Sequence, residues 1–241
     1  RQRQMCIRDS GGSVPGSISP SAVSIFEEGI RIPPIKIVRR GILQEDIIRL
    51  VVNNTREPED RNLDLKVQVA TNDFGVIQTT KLIDKMGLEA MEVAVEDLLI
   101  YTSRRLKKHL LALKQGSSSF TTWMDDDGLE GQTLPLKANV KIENGHLLID
   151  FSGSGPQSRG AFNVMTTGVI ATVSYAVKAL LDPDLPANDG LYSVVQLNMP
   201  SGSILNPVYP AAVGARTTTC QKLAGAIFGA FAQLLKEEQI M

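Results

Sequence analysis

The amino-acid sequence predicts an α+β fold (mixed α/β) in which a long helix hairpin is followed by a β-rich region with interspersed helices. Three observations predict this class. Apolar residues recur at helical spacing through residues 63–114. From about residue 117, apolar and polar residues alternate, as in strands. Further along the chain, helical segments and strand-like segments follow one another in turn. We therefore expect a loop, short strand and helical hairpin over 11–116, and a β-hairpin and α/β part over 117–241.

Composition argues against two broad classes of function. The 25 basic and 26 acidic residues nearly balance, and no block of like charge is long enough to predict a nucleic-acid surface. Every apolar stretch is interrupted well before the roughly 18 residues that a membrane-spanning helix needs. Cys6 and Cys220 are far apart in sequence and predict neither a disulfide framework nor a zinc site. A soluble, cytoplasmic protein is therefore expected.

The two ends of the sequence look unlike the ends of a complete domain. Residues 1–10, RQRQMCIRDS, have no hydrophobic signal core and resemble translated adaptor sequence, so we expect them to be non-native. At the other end, an apolar helical pattern that starts at Ala224 runs on without a cap. Residues 11–241 are therefore expected to be an internal fragment of a larger domain.

Helix-breaking residues dominate the first part of the chain. GGSVPGSISP at 11–20 is predicted to be a loop because it is rich in Gly, Ser and Pro. A Pro-Pro pair then excludes a helix, and the alternating Ile35 and Ile37 favour a short strand. Residues 42–52 return to helical spacing.

Two long helices are predicted next. Residues 63–86 place apolar side chains at steps of three and four, and Gly87 follows as a C-cap. Residues 88–114 repeat the pattern, and Gly116 lies just past their end. Because the connection is so short, the two helices are expected to form a hairpin.

Strand-like alternation follows the helices. Residues 137–143 and 146–151 flank an Asn-Gly pair, which is preferred in type I′ turns, and so predict a β-hairpin. A helix over 165–181 ends before an Asp-Pro pair, and a strand over 194–199 precedes a Pro-punctuated loop and a last helix. The chain thus has helices first, then strands, and then strands and helices in turn, an order that is typical of an α+β or mixed α/β fold.

The loop DFSGSGPQSRGAFN at 150–163 is the strongest candidate site in the sequence. It follows an apolar run, and its small residues let backbone amides approach a ligand closely. Gln157, Ser158, Arg159 and Asn163 add donors and acceptors that can orient a polar substrate. A polar turn that ends a strand explains the same residues, so both interpretations stay open.

Other candidates have weaker support. Asp125, Asp126 and Asp127 could bind a hard cation, although Asp-Asp-Gly is also a common turn. His109 lies in a basic helical segment and His146 has no nearby ligand partner, so neither predicts a metal site by spacing.

Two further residues lie near the start of the last predicted helix. Arg216 could clamp a carboxylate or a carbonyl with its guanidinium. Cys220 could carry a thiolate stabilised by the helix N-terminus, or could be a buried small residue. The Ser and Gly residues at 152–155 lack the contexts of a nucleophile elbow, a P-loop and a dinucleotide fingerprint.

Seven segments are distinctive enough for comparison with a known family. They are GGSVPGS at 11–17, IFEEGIRIPPIK at 25–36, NNTREPEDRNLDLKVQVATNDFG at 53–75, MDDDG at 124–128, DFSGSGPQSRGAFN at 150–163, DPDLPANDGLY at 182–192 and PSGSILNPVYPAAVGAR at 200–216. In this order they resemble the hydantoinase B/oxoprolinase family, which includes hydantoinase B subunits, the C-terminal half of 5-oxoprolinases and acetone carboxylase subunits.

The resemblance implies a component of an ATP-dependent cyclic-amide hydrolase of the 5-oxoprolinase or hydantoinase type. A hydantoinase A-like ATP-binding subunit or fused domain would activate the lactam or hydantoin ring, and this part would act on the activated substrate. A divalent metal is implied for the complete protein, with His and Asp ligands mostly before Gly11. Asp9 falls at one such position, and no metal ligand is assigned within residues 11–241.

The resemblance also implies roles for particular side chains. Ser152, Gln157, Asn163 and Arg216 are expected to face the substrate while Asp150 orients the loop, and no catalytic residue is assigned. A second set either contacts substrate or joins the helix hairpin to a partner: Asn54, Arg56, Asp64 and Gln68. Two other functions stay open, an ATP-dependent acetone-type carboxylase subunit and a non-catalytic scaffold for the ATPase partner.

Overall fold

The structure is a computed structural model that describes residues 11–129 and 131–235. Its helices are α1 (Glu45–Val52), α2 (Pro58–Met86), α3 (Leu88–Ala112), α4 (Thr166–Leu181) and α5 (Arg216–Ala232). Its strands are β1 (Val38–Arg39), β2 (Ile42–Leu43), β3 (Gly116–Met124), β4 (Leu134–Glu143), β5 (His146–Asp150) and β6 (Val195–Asn198). The predicted α+β class is confirmed.

A four-stranded sheet in the order β3-β4-β5-β6 organises the second half of the chain. β3, β4 and β5 are antiparallel neighbours, whereas β5 and β6 run parallel. The predicted Asn-Gly hairpin is confirmed between β4 and β5, because Asn144 and Gly145 have φ of 53° and 75°, as a type I′ turn requires. Since β5 and β6 are parallel, their connection must cross over the sheet, and α4 forms that crossover.

The core lies between this sheet and the helices that follow it. Side chains of β4 alternate strictly, with five buried apolar residues at every second position: Leu134, Leu136, Ala138, Val140 and Ile142. α5 packs on β3 and β4, and α4 packs against α5. Gly229 permits the close approach of α5, because a Cβ there would lie 2.5 Å from the Phe120 ring.

The predicted strand near Ile35 and Ile37 is displaced toward the C-terminus. The observed pairing joins β1 to β2, so Ile42 belongs to a strand and α1 begins only at Glu45. The turn explains the shift, because Arg40 and Gly41 both have positive φ, at 51° and 76°. Two left-handed residues in succession fit the two-residue turn of a short hairpin, and the sequence pattern did not reveal this turn.

The two long helices are present and meet at Gly87, whose φ is 85°. α2 starts five residues earlier than the apolar spacing predicted, because Pro58 occupies its first turn, where a missing N–H costs nothing. No residue of α2 is buried, and the buried residues of α3 all lie in its C-terminal half. The apolar stripes of α2 and of the N-terminal half of α3 therefore stay outside the core of the described residues.

An ion-pair cluster attaches the C-terminal half of α3 to the segment after α4. Arg105 donates hydrogen bonds to both carboxylate oxygens of Asp182, and His109 Nε2 lies 3.2 Å from Asp182 Oδ2. Asn188 donates to Thr102 Oγ1 at 2.9 Å. The hydrogen bond from Arg105 lowers the pKa of Asp182 below its usual value.

We predict that Asp182→Asn destabilises the protein at neutral pH. A depressed folded-state pKa stabilises the fold above the ordinary Asp pKa of about 4, and this contribution is lost as the pH falls through the folded value. The difference in unfolding free energy between wild type and variant should therefore be present at neutral pH and shrink in acid. Urea unfolding across this range measures it, and the exposed neighbour Asp184→Asn is the matched control.

Candidate functional site

Five of the seven distinctive segments meet in one place, here called the loop assembly and defined as residues 11–36, 124–129, 150–163 and 199–216. Arg56 joins it from the connection before α2. Backbone hydrogen bonds link these loops to one another: Ile25 N to Pro210 O, Gly160 N to Asp127 O, Ala161 N to Pro20 O and Ala215 N to Ala161 O. Segments distant in sequence therefore form one surface.

Asp150 lies at the carboxyl end of β5, directly beside Asn198 at the end of the parallel strand β6. Its Oδ1 accepts hydrogen bonds from the backbone N–H of Ser152 at 2.9 Å and from Asn198 Nδ2 at 2.8 Å. Asn198 also donates to Ser152 Oγ at 3.3 Å. In open α/β sheets, ligands bind beyond the carboxyl ends of parallel strands, so this position is suited to a site.

Two residues of β4 complete what we call the Asp150 cluster: Lys137, Asn139, Asp150, Ser152 and Asn198. Asn139 Nδ2 donates to the carbonyl oxygens of Asp150 and Ser152 at 2.8 and 3.0 Å. Burial alone would raise the pKa of Asp150, but hydrogen bonds from Ser152 and Asn198 and the charge of Lys137 outweigh it and lower the pKa. The cluster thus combines an ionised carboxylate, an ammonium group, a hydroxyl and two amides.

Glycine lets the loop fold back over this cluster. Gly153 has φ of 94°, a left-handed conformation that residues with a Cβ rarely adopt. A Cβ at this position would also lie 3.0 Å from Lys137 Cδ. A small residue is therefore required at this position of the motif, because the loop packs closely against strand β4.

Asn163 has a different position from the substrate-facing one that the sequence predicted. Its side chain is fully buried, and its Oδ1 accepts from Ser158 N at 2.8 Å. Its Nδ2 donates to the carbonyl oxygens of Ser158, Gly160 and Ala212 at 3.0 to 3.1 Å. With both amide groups bonded internally, Asn163 joins two loops and offers no surface to a ligand, so it is a structural residue here.

Within the described residues, no hydrogen bond joins Gln157 or Arg216 to the Asp150 cluster. Gln157 Oε1 accepts from the backbone N–H of Val208 at 2.9 Å, which ties two parts of the loop assembly together. Arg216 is the exposed first residue of α5, and its guanidinium forms no hydrogen bond or ion pair with the residues that the structure describes. The structure brings Asp150 and Ser152 together, and substrate contact by Ser152, Gln157 and Arg216 stays a prediction.

The acidic segment at 125–128 forms a turn. Asp126 Oδ1 accepts from Gly128 N at 2.6 Å, as in an Asx turn. Asp127 is buried, and its carboxylate accepts from Arg159 Nε at 2.6 Å and from Leu129 N at 3.1 Å. The Arg159 hydrogen bond lowers the pKa of Asp127. This geometry supports the turn interpretation, with Asp127 fixing the position of Arg159.

The four residues predicted either to contact substrate or to join the helices to a partner have different positions in the structure: Asn54, Arg56, Asp64 and Gln68. Arg56 donates to the carbonyl oxygens of Gly12 and Val14 and so holds the first glycine loop. Asn54, just after the end of α1, donates to Leu50 O at 2.7 Å. Asp64 pairs with Arg61 at 2.9 Å within α2, and Gln68 is exposed on the same helix.

Sequence reasoning missed Lys137, Asn139, Asn198 and Glu28. Glu28 Oε1 accepts from the backbone N–H groups of Val213 and Gly214 and links the second distinctive segment to the last one. A strand–helix–strand order was visible around α4, and it predicts parallel neighbours whose ends coincide. Recognising it would have placed Asp150 beside Asn198.

The described residues supply little toward a metal centre. Within 11–129 and 131–235, no three His, Cys, Asp or Glu side chains are grouped so that they could hold a metal ion. Asp9, the candidate ligand, lies outside the described residues. Separately, the helices in the described ranges include none long and apolar enough to cross a membrane.

Comparison with known proteins establishes the family. A family model for hydantoinase B/oxoprolinase matches residues 5–240. The chain therefore belongs to the hydantoinase B/oxoprolinase family, as the seven segments predicted.

Three known proteins illustrate the similarity. A 5-oxoprolinase from Dictyostelium discoideum is 34% identical over 235 residues, which cover 92% of this chain and 18% of that protein. The crystal structure of the ATP-dependent caprolactamase from Pseudomonas jessenii has a TM-score of 0.86 at 28% identity and covers 96% of this chain and 40% of that chain. A nucleotide-free acetone carboxylase structure has a TM-score of 0.75 at 16% identity, over 92% of this chain and 32% of that chain, and shows likeness of fold alone. The chain spans at most 40% of these proteins.

We predict that Asn163→Ala lowers the unfolding free energy by about 3 kcal/mol, because it leaves a buried N–H and several buried carbonyl groups without partners. Chemical denaturation measures the change. Asn53→Ala removes the same amide at an exposed position and should change stability by less than about 0.5 kcal/mol. Equal effects at the two positions would contradict the structural role of Asn163.

Proposed function

We propose that the protein is the component of an ATP-dependent cyclic-amide hydrolase, of the 5-oxoprolinase or hydantoinase type, that acts on a lactam or hydantoin ring. A hydantoinase A-like ATP-binding subunit or fused domain activates the ring. The observation that carries the proposal is the family match over residues 5–240. The joining of five family segments, with Arg56 from a sixth, into one loop assembly supports it.

The proposed division of labour follows from the chemistry of the substrate. A ring amide is a poor electrophile, and transfer of a phosphoryl group from ATP to its oxygen makes the carbon susceptible to attack by water. The described residues have no P-loop motif, so ATP binding is assigned to the partner. A divalent metal is proposed for the complete protein, with ligands outside the described residues.

The Asp150 cluster is the proposed substrate-contacting surface of this chain. The ionised Asp150 can accept a hydrogen bond from a ring N–H, and the Lys137 ammonium can donate to an anionic oxygen of the substrate. Ser152 and Asn198 lie on the same surface. Gln157 and Arg216, at other points of the loop assembly, are proposed to orient the remainder of the substrate.

An acetone-type carboxylase subunit is the second candidate, because the acetone carboxylase structure shares the fold. The full-length protein, purified with its ATP-binding partner, separates the two. ATP-dependent opening of 5-oxoproline, hydantoin or caprolactam supports the hydrolase. ATP-dependent incorporation of bicarbonate carbon into acetone supports the carboxylase, and absence of all ring opening would overturn the first proposal.

In that complex, Lys137→Met is predicted to lower kcat/KM for the ring substrate about 10- to 100-fold, as the loss of one hydrogen bond to a charged group implies. Lys141→Met is the matched control, because Lys141 lies on the same strand and pairs instead with Glu143 at 2.7 Å. The control should retain wild-type kcat/KM.

Arg216→Ala and Gln157→Ala test the rest of the assembly. Both are predicted to lower turnover while the complex with the partner stays intact, which size-exclusion chromatography with light scattering measures. Unchanged turnover in these variants and in Lys137→Met, with the complex intact, would favour a non-catalytic scaffold.

A further inference from the structure

Arg31 lies on a short segment of the loop assembly whose backbone is restricted on both sides. Gly29, two residues before it, has φ of 128°, a value that residues with a Cβ rarely adopt. Two residues after it, Pro33 begins a Pro-Pro pair, which fixes φ at both positions and keeps the residue before it extended. The Arg31 side chain therefore starts from a constrained position.

Two aromatic rings hold the guanidinium of Arg31. Its Cζ lies 4.5 Å from the centroid of the Phe26 ring and 5.4 Å from that of the Tyr209 ring, distances at which cation–π attraction operates. The two rings contact each other edge-on, with centroids 6.1 Å apart and planes inclined at 73°. We call Phe26, Arg31 and Tyr209 the Arg31 group.

Backbone hydrogen bonds fix the two rings relative to each other. Ile25 N donates to Pro210 O at 2.9 Å, which joins the chain beside the first ring to the chain beside the second. Val208 N donates to Gln157 Oε1 at 2.9 Å and so connects the second ring to the loop after β5. The Arg31 group and that loop therefore belong to one connected surface.

The hydrogen-bond donors of the guanidinium are available to a ligand. In the part of the chain that the structure describes, Arg31 forms no hydrogen bond or ion pair. It lines a cavity of about 600 Å³, and small-molecule sites commonly measure roughly 300–1,000 Å³. Both rings are more than half exposed, Phe26 at 60% and Tyr209 at 62%. An oriented cation without an anionic partner, beside a cavity, is suited to bind an anion.

The lining of the cavity favours a carboxylate over a phosphate. Among the described residues that line it, Arg31 is the single cation and Glu28 is acidic. A phosphate dianion would leave one negative charge unbalanced, whereas a carboxylate matches both the charge and the paired N–H donors of a guanidinium. The other lining residues suit the hydrocarbon part of a small molecule, because they are mainly apolar: Ile25, Ile30, Ile32 and Pro33.

We propose that Arg31, held by Phe26 and Tyr209, binds the carboxylate of a small molecule, and that the ring substrate carries this carboxylate. The inference rests on the proposed function and narrows it, because an acidic lactam or hydantoin is then preferred over a neutral one. Gln157, proposed to orient the remainder of the substrate, connects the Arg31 group to the loop that contains Asp150 and Ser152. The role of Arg31 is recognition, and no bond of the substrate changes there.

Pairs of related ligands test this preference in the full-length protein purified with its ATP-binding partner. 5-Oxoproline carries a carboxylate that 2-pyrrolidinone lacks, and hydantoin-5-acetate carries one that hydantoin lacks. Isothermal titration calorimetry without ATP measures binding apart from turnover. In at least one pair, the acidic member should bind to wild type at least about tenfold more tightly than the neutral member, as a hydrogen bond between charged groups implies.

Substitution of Arg31 should remove this preference selectively. Arg31→Gln should bind the neutral member as wild type does and lose the added affinity for the acidic member. Arg31→Lys should keep part of it, because the charge remains without the planar fork. Arg39→Gln is the matched control, since Arg39 is an exposed arginine on β1 that does not line the cavity, and it should retain the full preference. Circular dichroism checks that the variants stay folded.

Two results would overturn the proposal: equal affinity of wild type for the acidic and neutral members of both pairs, or the same loss in Arg31→Gln and Arg39→Gln. Competition identifies the molecule that carries the carboxylate. If the acidic and neutral rings displace each other, the ring substrate carries it. If they bind together, Arg31 serves a separate carboxylate ligand, and the assignment to the substrate is wrong.

Ring opening is measured separately in the same complex, with ATP present. A complex that opens no ring but shows the Arg31-dependent preference would refute the proposed function and leave the carboxylate site standing. Ring opening without any preference for acidic rings would support the proposed function and reject the carboxylate site.

Discussion

The carboxamide of Asn163 holds together the surface on which the candidate site is built. Loops lack the repeating backbone hydrogen bonds of helices and strands, yet their buried N–H and C=O groups still need partners. Asn163 supplies four such bonds from one side chain and thereby connects the loop after β5 to the loop before α5. Aspartate could not replace it, because an ionised carboxylate cannot donate to three carbonyl oxygens.

The crossover through α4 gives that surface its location. Parallel pairing brings the ends of β5 and β6 side by side, so Asp150 and Asn198 become neighbours although they are distant in sequence. Asn198 then shares the carboxylate of Asp150 with the backbone of Ser152. The polar groups of the candidate site are therefore positioned by regular secondary structure, while the loops supply the wall around them.

Local sequence patterns predicted the elements better than the contacts between them. The Asn-Gly hairpin and both long helices followed from turn chemistry and helical spacing, which are properties of adjacent residues. The Arg40-Gly41 turn was missed because arginine is an unusual residue for a left-handed conformation. Asn163 was expected to face substrate because a sequence shows that an amide is present but not which carbonyl groups surround it.

Sequence patterns also do not show which part of a protein covers the apolar faces of α2 and α3. Apolar spacing in α2 and α3 predicts that a face will be covered, but it does not say by what. Asp182 resolves part of the question, because its bonds to Arg105 fix the C-terminal half of α3 against the body. The helix is continuous, so fixing one half also fixes where the acidic N-terminal half points. The ion pair between Arg105 and the buried carboxylate of Asp182 thereby also determines where the acidic residues in the first half of α3 lie relative to the body of the protein.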